Sequence, residues 1–147
     1  MAANKIVWSE DMSVGCAPLD DDHKILIQAL NSFIDALEND EGAFVTDGIF
    51  SVLMDYTNFH FSREEAILAA CGYEDLDAHK QAHSALKQQL IDARQQYVLN
   101  PSSDLEDEIR DFLLHWLQSH ILVCDMDYKD VVSKSGQDID AILATIA

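Results

Sequence analysis

The sequence predicts an all-α protein, an up-down-up-down antiparallel four-helix bundle with an N-terminal arm and a short C-terminal helix. Three observations predict it. Gly and Pro are scarce, at five and two in 147 residues, and no long Val/Ile/Thr-rich run alternates with period two, so strands leave no signature. Four stretches of roughly twenty residues repeat apolar side chains at three- and four-residue spacing. The connections between them are short, which favours antiparallel neighbours, and each helix would be about 30 Å long. The chain is read as a single domain, 1–147, long enough to bury a core.

Residues 1–19 read as an arm. Trp8 and Val14 are its apolar points, Gly15 and Pro18 interrupt regular structure, and Trp8 is expected to tuck against the bundle. The first helix, about 20–38, opens with Asp20–Asp22 at the positive end of its dipole. Its seam is Leu19, His23, Leu26, Leu30, Phe33 and Leu37. The second helix, about 47–71, carries Ile49, Leu53, Tyr56, His60, Glu64, Ile67 and Cys71, with Gly72 as the expected C-terminal cap. The third, about 76–97, carries Leu76, His79, His83, Leu86 and Leu90, and Asn100-Pro101 ends it. Ser103 followed by Glu106 predicts a capping box for the fourth, about 104–125, whose seam is Leu105, Ile109, Leu113, Trp116 and His120, with Asp125 near its end. The tail, 133–147, places Ile139, Ile142, Leu143 and Ile146 after Gly136 and reads as a short amphipathic helix.

Charge and cysteine content narrow the function. The formal charge is −18, from 27 acids against nine bases, which argues against nucleic acid and anionic membrane surfaces as partners. Cys16, Cys71 and Cys124 are odd in number and widely spaced, which fits a reducing compartment better than a disulfide framework. The N-terminal residues carry no apolar signal-peptide core, and no apolar run is long enough to span a bilayer. A cytoplasmic location is the expectation.

The anomaly is where the polar residues fall. His23, His60, Glu64, His79, His83 and His120 occupy positions that should face the core, and buried polar groups need partners. Two of the pairs, His60/Glu64 and His79/His83, have i,i+4 spacing and stack on one helix face. A metal resolves the conflict, because it accepts imidazole nitrogen and carboxylate oxygen and neutralises the charge. Five seam histidines with Glu64 and Asp125 make seven ligands, more than one ion takes, but suited to two ions sharing bridging carboxylates. The weakest geometric link is His120 with Asp125, which five residues of ideal helix would set roughly 140° apart. They converge only if the helix ends or loosens there. His115 lies on another face and reads as surface or as a neighbour of the ligands. Cys71 and Cys124 read as small buried hydrophobes.

Taken together these residues resemble the hemerythrin family, its bacterial single-domain members in particular. The resemblance covers nearly the whole chain, through Trp8, Val14-Gly15, Asp22-His23-Lys24, Tyr56, His60-Phe61, Glu64-Glu65, Tyr73, His79, His83, Trp116-Leu117, His120-Ile121 and Asp125. It implies two iron ions joined by an oxo or hydroxo bridge. His79, His83 and His120 would hold the filled iron, His23 and His60 the iron with an open position, and Glu64 and Asp125 would bridge. Leu26, Phe61, Trp116, Leu117 and Ile121 would wall an oxygen pocket, with plain core packing as the other reading of the same residues. Two positions depart from the family pattern: Asp22 stands where Gln is frequent, and Glu74 follows Tyr73 where Pro is frequent.

The function expected is a non-enzymatic, non-heme di-iron protein that reversibly binds dioxygen for storage, transport or buffering. A weak homo-oligomer or an oxygen-using protein is the expected partner besides dioxygen. An oxygen- or redox-sensing module and a di-iron oxidase or scavenger are the alternatives. A histidine phosphotransfer bundle would have only His115 to use and would leave the seam ligands unexplained.

Overall fold

The computed structural model describes residues 5–120 and 125–145. Ile121, Cys124 and Ile146, named above, lie outside them. Four long helices form the bundle: α1 (Ala17–Glu38), α2 (Gly42–Cys71), α3 (Leu76–Leu99) and α4 (Ser103–Ser119). Two short ones follow, α5 (Lys129–Lys134) and α6 (Ile139–Ala144), with a single turn at Met126–Tyr128 ahead of α5. The long helices close a ring in chain order, α1 on α2, α2 on α3, α3 on α4 and α4 on α1, and α2 also carries α5 and α6. Among the described residues no helix is long and apolar enough to cross a membrane.

Several local features differ from the sequence expectation for physical reasons. α1 begins at Ala17, so Pro18 lies in its first turn, where a missing N–H costs nothing. α2 begins at Gly42, five residues before Asp47. There the chain passes close to α4: a Cβ at Gly42 would fall 2.1 Å from Glu106 Oε1 and 2.8 Å from Leu37 Cδ2. The cap of α4 is Ser102, not Ser103. Ser102 is extended and its Oγ accepts the Leu105 N–H at 3.1 Å, while Glu106 turns away from the box to accept the Tyr97 hydroxyl at 2.7 Å. Gly72 caps α2 as expected, in the left-handed region at φ 71°, with Tyr73 N–H returning to Leu68 C=O. The tail forms the expected short helix, α6, after Gly136, with Asp138 starting it by capping Ala141 N–H, and the sequence expectation did not include α5 ahead of it.

The arm is bolted on rather than loose. The Asn31 side chain accepts the Ile6 N–H at 3.1 Å and donates to the Ile6 C=O at 2.8 Å, and Ile6 is buried. Trp8 packs against the main core with the Lys24 ammonium 5.1 Å above its ring.

The apolar interior divides in two. The larger cluster includes Leu26, Leu30, Phe33, Phe50, Leu53, Phe61, Ile109, Leu113 and Trp116. The smaller, at the end where α5 and α6 close the bundle, is built on Val14, Cys16, Leu19, Ile67, Leu68, Tyr128 and Val132. On α1, His23 falls between Leu19 of one cluster and Leu26 of the other. On α2, Glu64 falls between Phe61 and Ile67. A polar layer therefore crosses the bundle between two dry regions.

Candidate metal centre

All seven sequence-predicted ligands lie in that layer and all are buried; the most exposed, His79, retains 6% of its surface. Each is delivered by the helix expected to carry it: His23 by α1, His60 and Glu64 by α2, His79 and His83 by α3, and His120 at the end of α4. Asp125 joins them, with its N–H donating to the His120 C=O at 2.9 Å. That i→i+5 bond holds His120 and Asp125 together, two residues that a regular helix would set on different sides.

Glu64 is the centre of the constellation. Its Oε2 lies 3.1 Å from His60 Nε2 and 3.8 Å from His23 Nε2. Its Oε1 contacts His79 Nε2 and lies 3.0 Å from His83 Nε2. The two oxygens of one carboxylate thus face two different pairs of imidazoles. Asp125 spans the same divide, with Oδ2 at 2.8 Å from His23 Nε2 and Oδ1 at 3.5 Å from His79 Nε2. The ligand atoms sort into two groups, each within 4.8 Å: His23, His60, Glu64, His120 and Asp125, and Glu64, His79, His83 and Asp125. The two carboxylates belong to both groups. His120 stands between them. Its Nε2 joins the first group, 3.2 Å from Asp125 Oδ2, yet its ring centre is closer to His83 and His79, at 5.2 and 6.0 Å, than to His23 and His60, both at 6.3 Å.

The donor set fits a cation better than it fits a hydrogen-bond network. His120 Nε2 and both Asp125 oxygens have no aligned hydrogen-bond partner among the described residues, although imidazole nitrogens lie within 2.8 to 3.5 Å of those oxygens. Atoms that crowd together without donor–acceptor alignment are aimed at a common point, and nitrogen with carboxylate oxygen is a donor set for a transition-metal ion.

In the metal-free chain the same groups shift one another strongly. Burial acts to raise the Glu64 carboxyl, but the charge on His60 and hydrogen bonds from His23, His60 and His79 hold it well below the usual carboxylate range. Burial acts to lower the His60 imidazole, yet Glu64, Asp22 and Asp125 push it up to about 10. His120 goes the other way: burial, reinforced by the charges of His83 and His60, brings it down to about 4 against the pull of Asp125 and Glu64.

Further residues support the ligands from outside, and the sequence marked them only faintly. The Tyr128 hydroxyl donates to Glu64 Oε2 at 3.0 Å. His83 Nδ1–H donates to Glu65 Oε2 at 2.9 Å. His60 Nδ1–H donates to Asp22 Oδ2 at 3.0 Å, and Asp22 also accepts from Arg63 Nε and the Tyr56 hydroxyl, each at 3.1 Å. An acid one residue from a seam ligand, as Asp22 is from His23 and Glu65 from Glu64, was the available signal; nothing in the helical spacing pointed to Tyr128. Of the expected pocket residues, Leu26, Phe61, Trp116 and Leu117 are buried. Phe61 stacks on His83 at 3.6 Å between ring centres, and Trp116 lies parallel to His120 at 6.2 Å. Ile121 is outside the described residues. His115 is exposed.

Comparison with known proteins agrees with this geometry. The family model described as the hemerythrin HHE cation binding domain matches residues 15–132. The chain is 30% identical over 134 residues to a bacteriohemerythrin of Pseudomonas aeruginosa, covering 91% of this chain and 86% of that one. It is 32% identical over 127 residues to one from Stenotrophomonas maltophilia, covering 86% and 81%. Among solved structures, a crystal structure of wild-type hemerythrin superposes with a TM-score of 0.69 at 25% identity, covering 87% of this chain and 98% of that one. The chain belongs to the hemerythrin family of cation-binding four-helix proteins.

Proposed function

We propose that this protein holds two iron ions in the polar layer and binds dioxygen reversibly, as a carrier, store or buffer rather than an enzyme. The observation that carries the proposal is the division of Glu64, whose two oxygens face His23/His60 and His79/His83 separately. A carboxylate so placed suits a bridge between two ions, and Asp125, whose oxygens face His23 and His79, would be the second bridge. His120, nearer in ring position to His83 and His79, would complete three imidazoles on one ion, leaving the His23/His60 ion with fewer protein ligands.

Ferrous ions bound there would supply the electrons for oxygen uptake. The chain's own contribution is threefold. The imidazole-rich set with only two carboxylates brings little negative charge to the ions. The Tyr128 hydroxyl fixes Glu64 by a hydrogen bond. The Phe61 and Trp116 rings lie parallel to His83 and His120, and Leu26 and Leu117 are buried in the same core, an apolar setting that would limit water and proton access and favour release of the bound gas over further reaction.

The test is anaerobic loading with ferrous iron, followed by cycles of oxygen addition and removal with visible absorption and iron content recorded. A reversible band at about two irons per chain supports the proposal. An irreversible change at the same iron content replaces it with an oxidase or scavenger. No iron uptake removes it altogether.

A further inference from the structure

The two sets of imidazoles facing Glu64 differ on their outer sides. On the His79/His83 side, His83 Nδ1–H donates to Glu65, whose side chain is 24% exposed, so water screens that carboxylate. On the His23/His60 side, His60 Nδ1–H donates to Asp22, whose side chain is only 5% exposed. His23 Nδ1 has no partner among the described residues, so Asp22 is the anion that serves this set. Its second oxygen is fixed by the Tyr56 hydroxyl, which keeps Oδ2 turned toward His60. The Arg63 guanidinium also meets Oδ2 but is 20% exposed, so its charge is partly screened, whereas the His60 ring is fully buried. The anion therefore acts most strongly inward, along the imidazole.

An anion on the Nδ1–H of a ligating histidine makes its Nε2 a stronger donor and fixes the ring's orientation. A more basic ligand favours the ion with the higher charge. On the di-iron reading proposed above, we infer that Asp22 is a positioning residue that sets the two metal positions apart. It makes the His23/His60 position bind its ion more tightly, and hold it further toward the ferric state, than an uncharged partner of His60 would. This is a consequence of having Asp rather than an amide immediately before His23.

Asp22 and Arg63 give predictions of opposite sign. The metal-free full chain is titrated with cobalt(II), following the ligand-field absorption and heat of each binding event, and the reduction midpoint of the iron-loaded chain is measured in parallel. Asp22→Asn keeps the shape and removes the charge. It should weaken one of two binding events by about 10- to 100-fold, leave the other unchanged and raise the midpoint. Arg63→Gln removes the competing cation and should tighten the same event and lower the midpoint, an outcome that simple loosening of the site would not produce. If Asp22→Asn does not fold, Arg63→Gln decides. Equal weakening of both events by Asp22→Asn, no change in either, or weakening by Arg63→Gln overturns the inference. A wild-type chain that takes up no cobalt or iron overturns the di-metal reading itself, which separates the two failures.

Discussion

Replacing Glu64 by Gln in the metal-free chain tests whether the polar layer is held together as the geometry says. Gln keeps the volume but offers one acceptor oxygen where the carboxylate offers two. At present those oxygens serve His79, His83 at 3.0 Å, His60 at 3.1 Å and the Tyr128 hydroxyl at 3.0 Å, all buried. Removing one partner of a buried charged pair costs about 3–5 kcal/mol. For a domain of this size each kcal/mol is about 2–4 °C in Tm, so the expected loss is about 6–20 °C. The loss depends on pH in a defined way. The Glu64 pKa is lowered by folding, so its contribution is present above the ordinary carboxylate range of about 4.3 and disappears as pH falls through the folded value. The His60 pKa is raised by folding, so its contribution is complete below about 6.5 and is lost as pH rises through about 10. The gap between wild type and Glu64→Gln should be widest between about pH 4.3 and 6.5 and should narrow toward pH 10. Thermal unfolding with chelator present, across that range, measures it. A gap below about 0.5 kcal/mol at pH 6, the scatter of an ordinary surface substitution, would mean that Glu64 does not hold the polar layer together.

Three other outcomes follow from the same structure. Ser102→Ala removes the side-chain cap of α4 and should cost about 1 kcal/mol in urea unfolding while leaving metal uptake unchanged. Phe61→Ala removes a fully buried ring stacked on His83; it should cost about 3–5 kcal/mol and lower the metal bound per chain, read by unfolding and elemental analysis together. Burial and the charge of Asp22 push the Tyr56 phenol up to about 12, so in the metal-free chain its stabilising effect holds below about pH 10 and is lost as pH rises through 12. The ultraviolet phenolate titration of Tyr56→Phe should lose one phenolate near pH 12, while the Tyr128 phenol, also pushed up by burial, remains.

The sequence made the ligand set legible because each long helix carries a regular apolar stripe, and a histidine or glutamate within the stripe can only point inward. His60/Glu64 and His79/His83 were readable for that reason alone. The convergence of His120 and Asp125 was not, since five residues of regular helix set them on different sides, and the backbone bond from Asp125 N–H to the His120 C=O is a feature that side-chain spacing does not show. The outer partners were harder. Asp22, Arg63 and Glu65 lie off the stripe, where charged residues ordinarily face water, and Tyr128 reaches Glu64 from a segment with no helical period to place it. The early start of α2 was hidden because Glu41 makes no side-chain cap. The shift of the α4 cap by one residue came from adjacent serines with equal capping chemistry, which the extended backbone at Ser102 resolves.

The most direct measurement is anomalous scattering at the iron edge from crystals of the iron-loaded protein. Two peaks are expected, one beside His23 and His60 and the other beside His79 and His83, with Glu64 and Asp125 between them. A single peak would contradict the paired centre. No peak, with the imidazoles bonded only to the carboxylates and to water, would contradict the metal site itself.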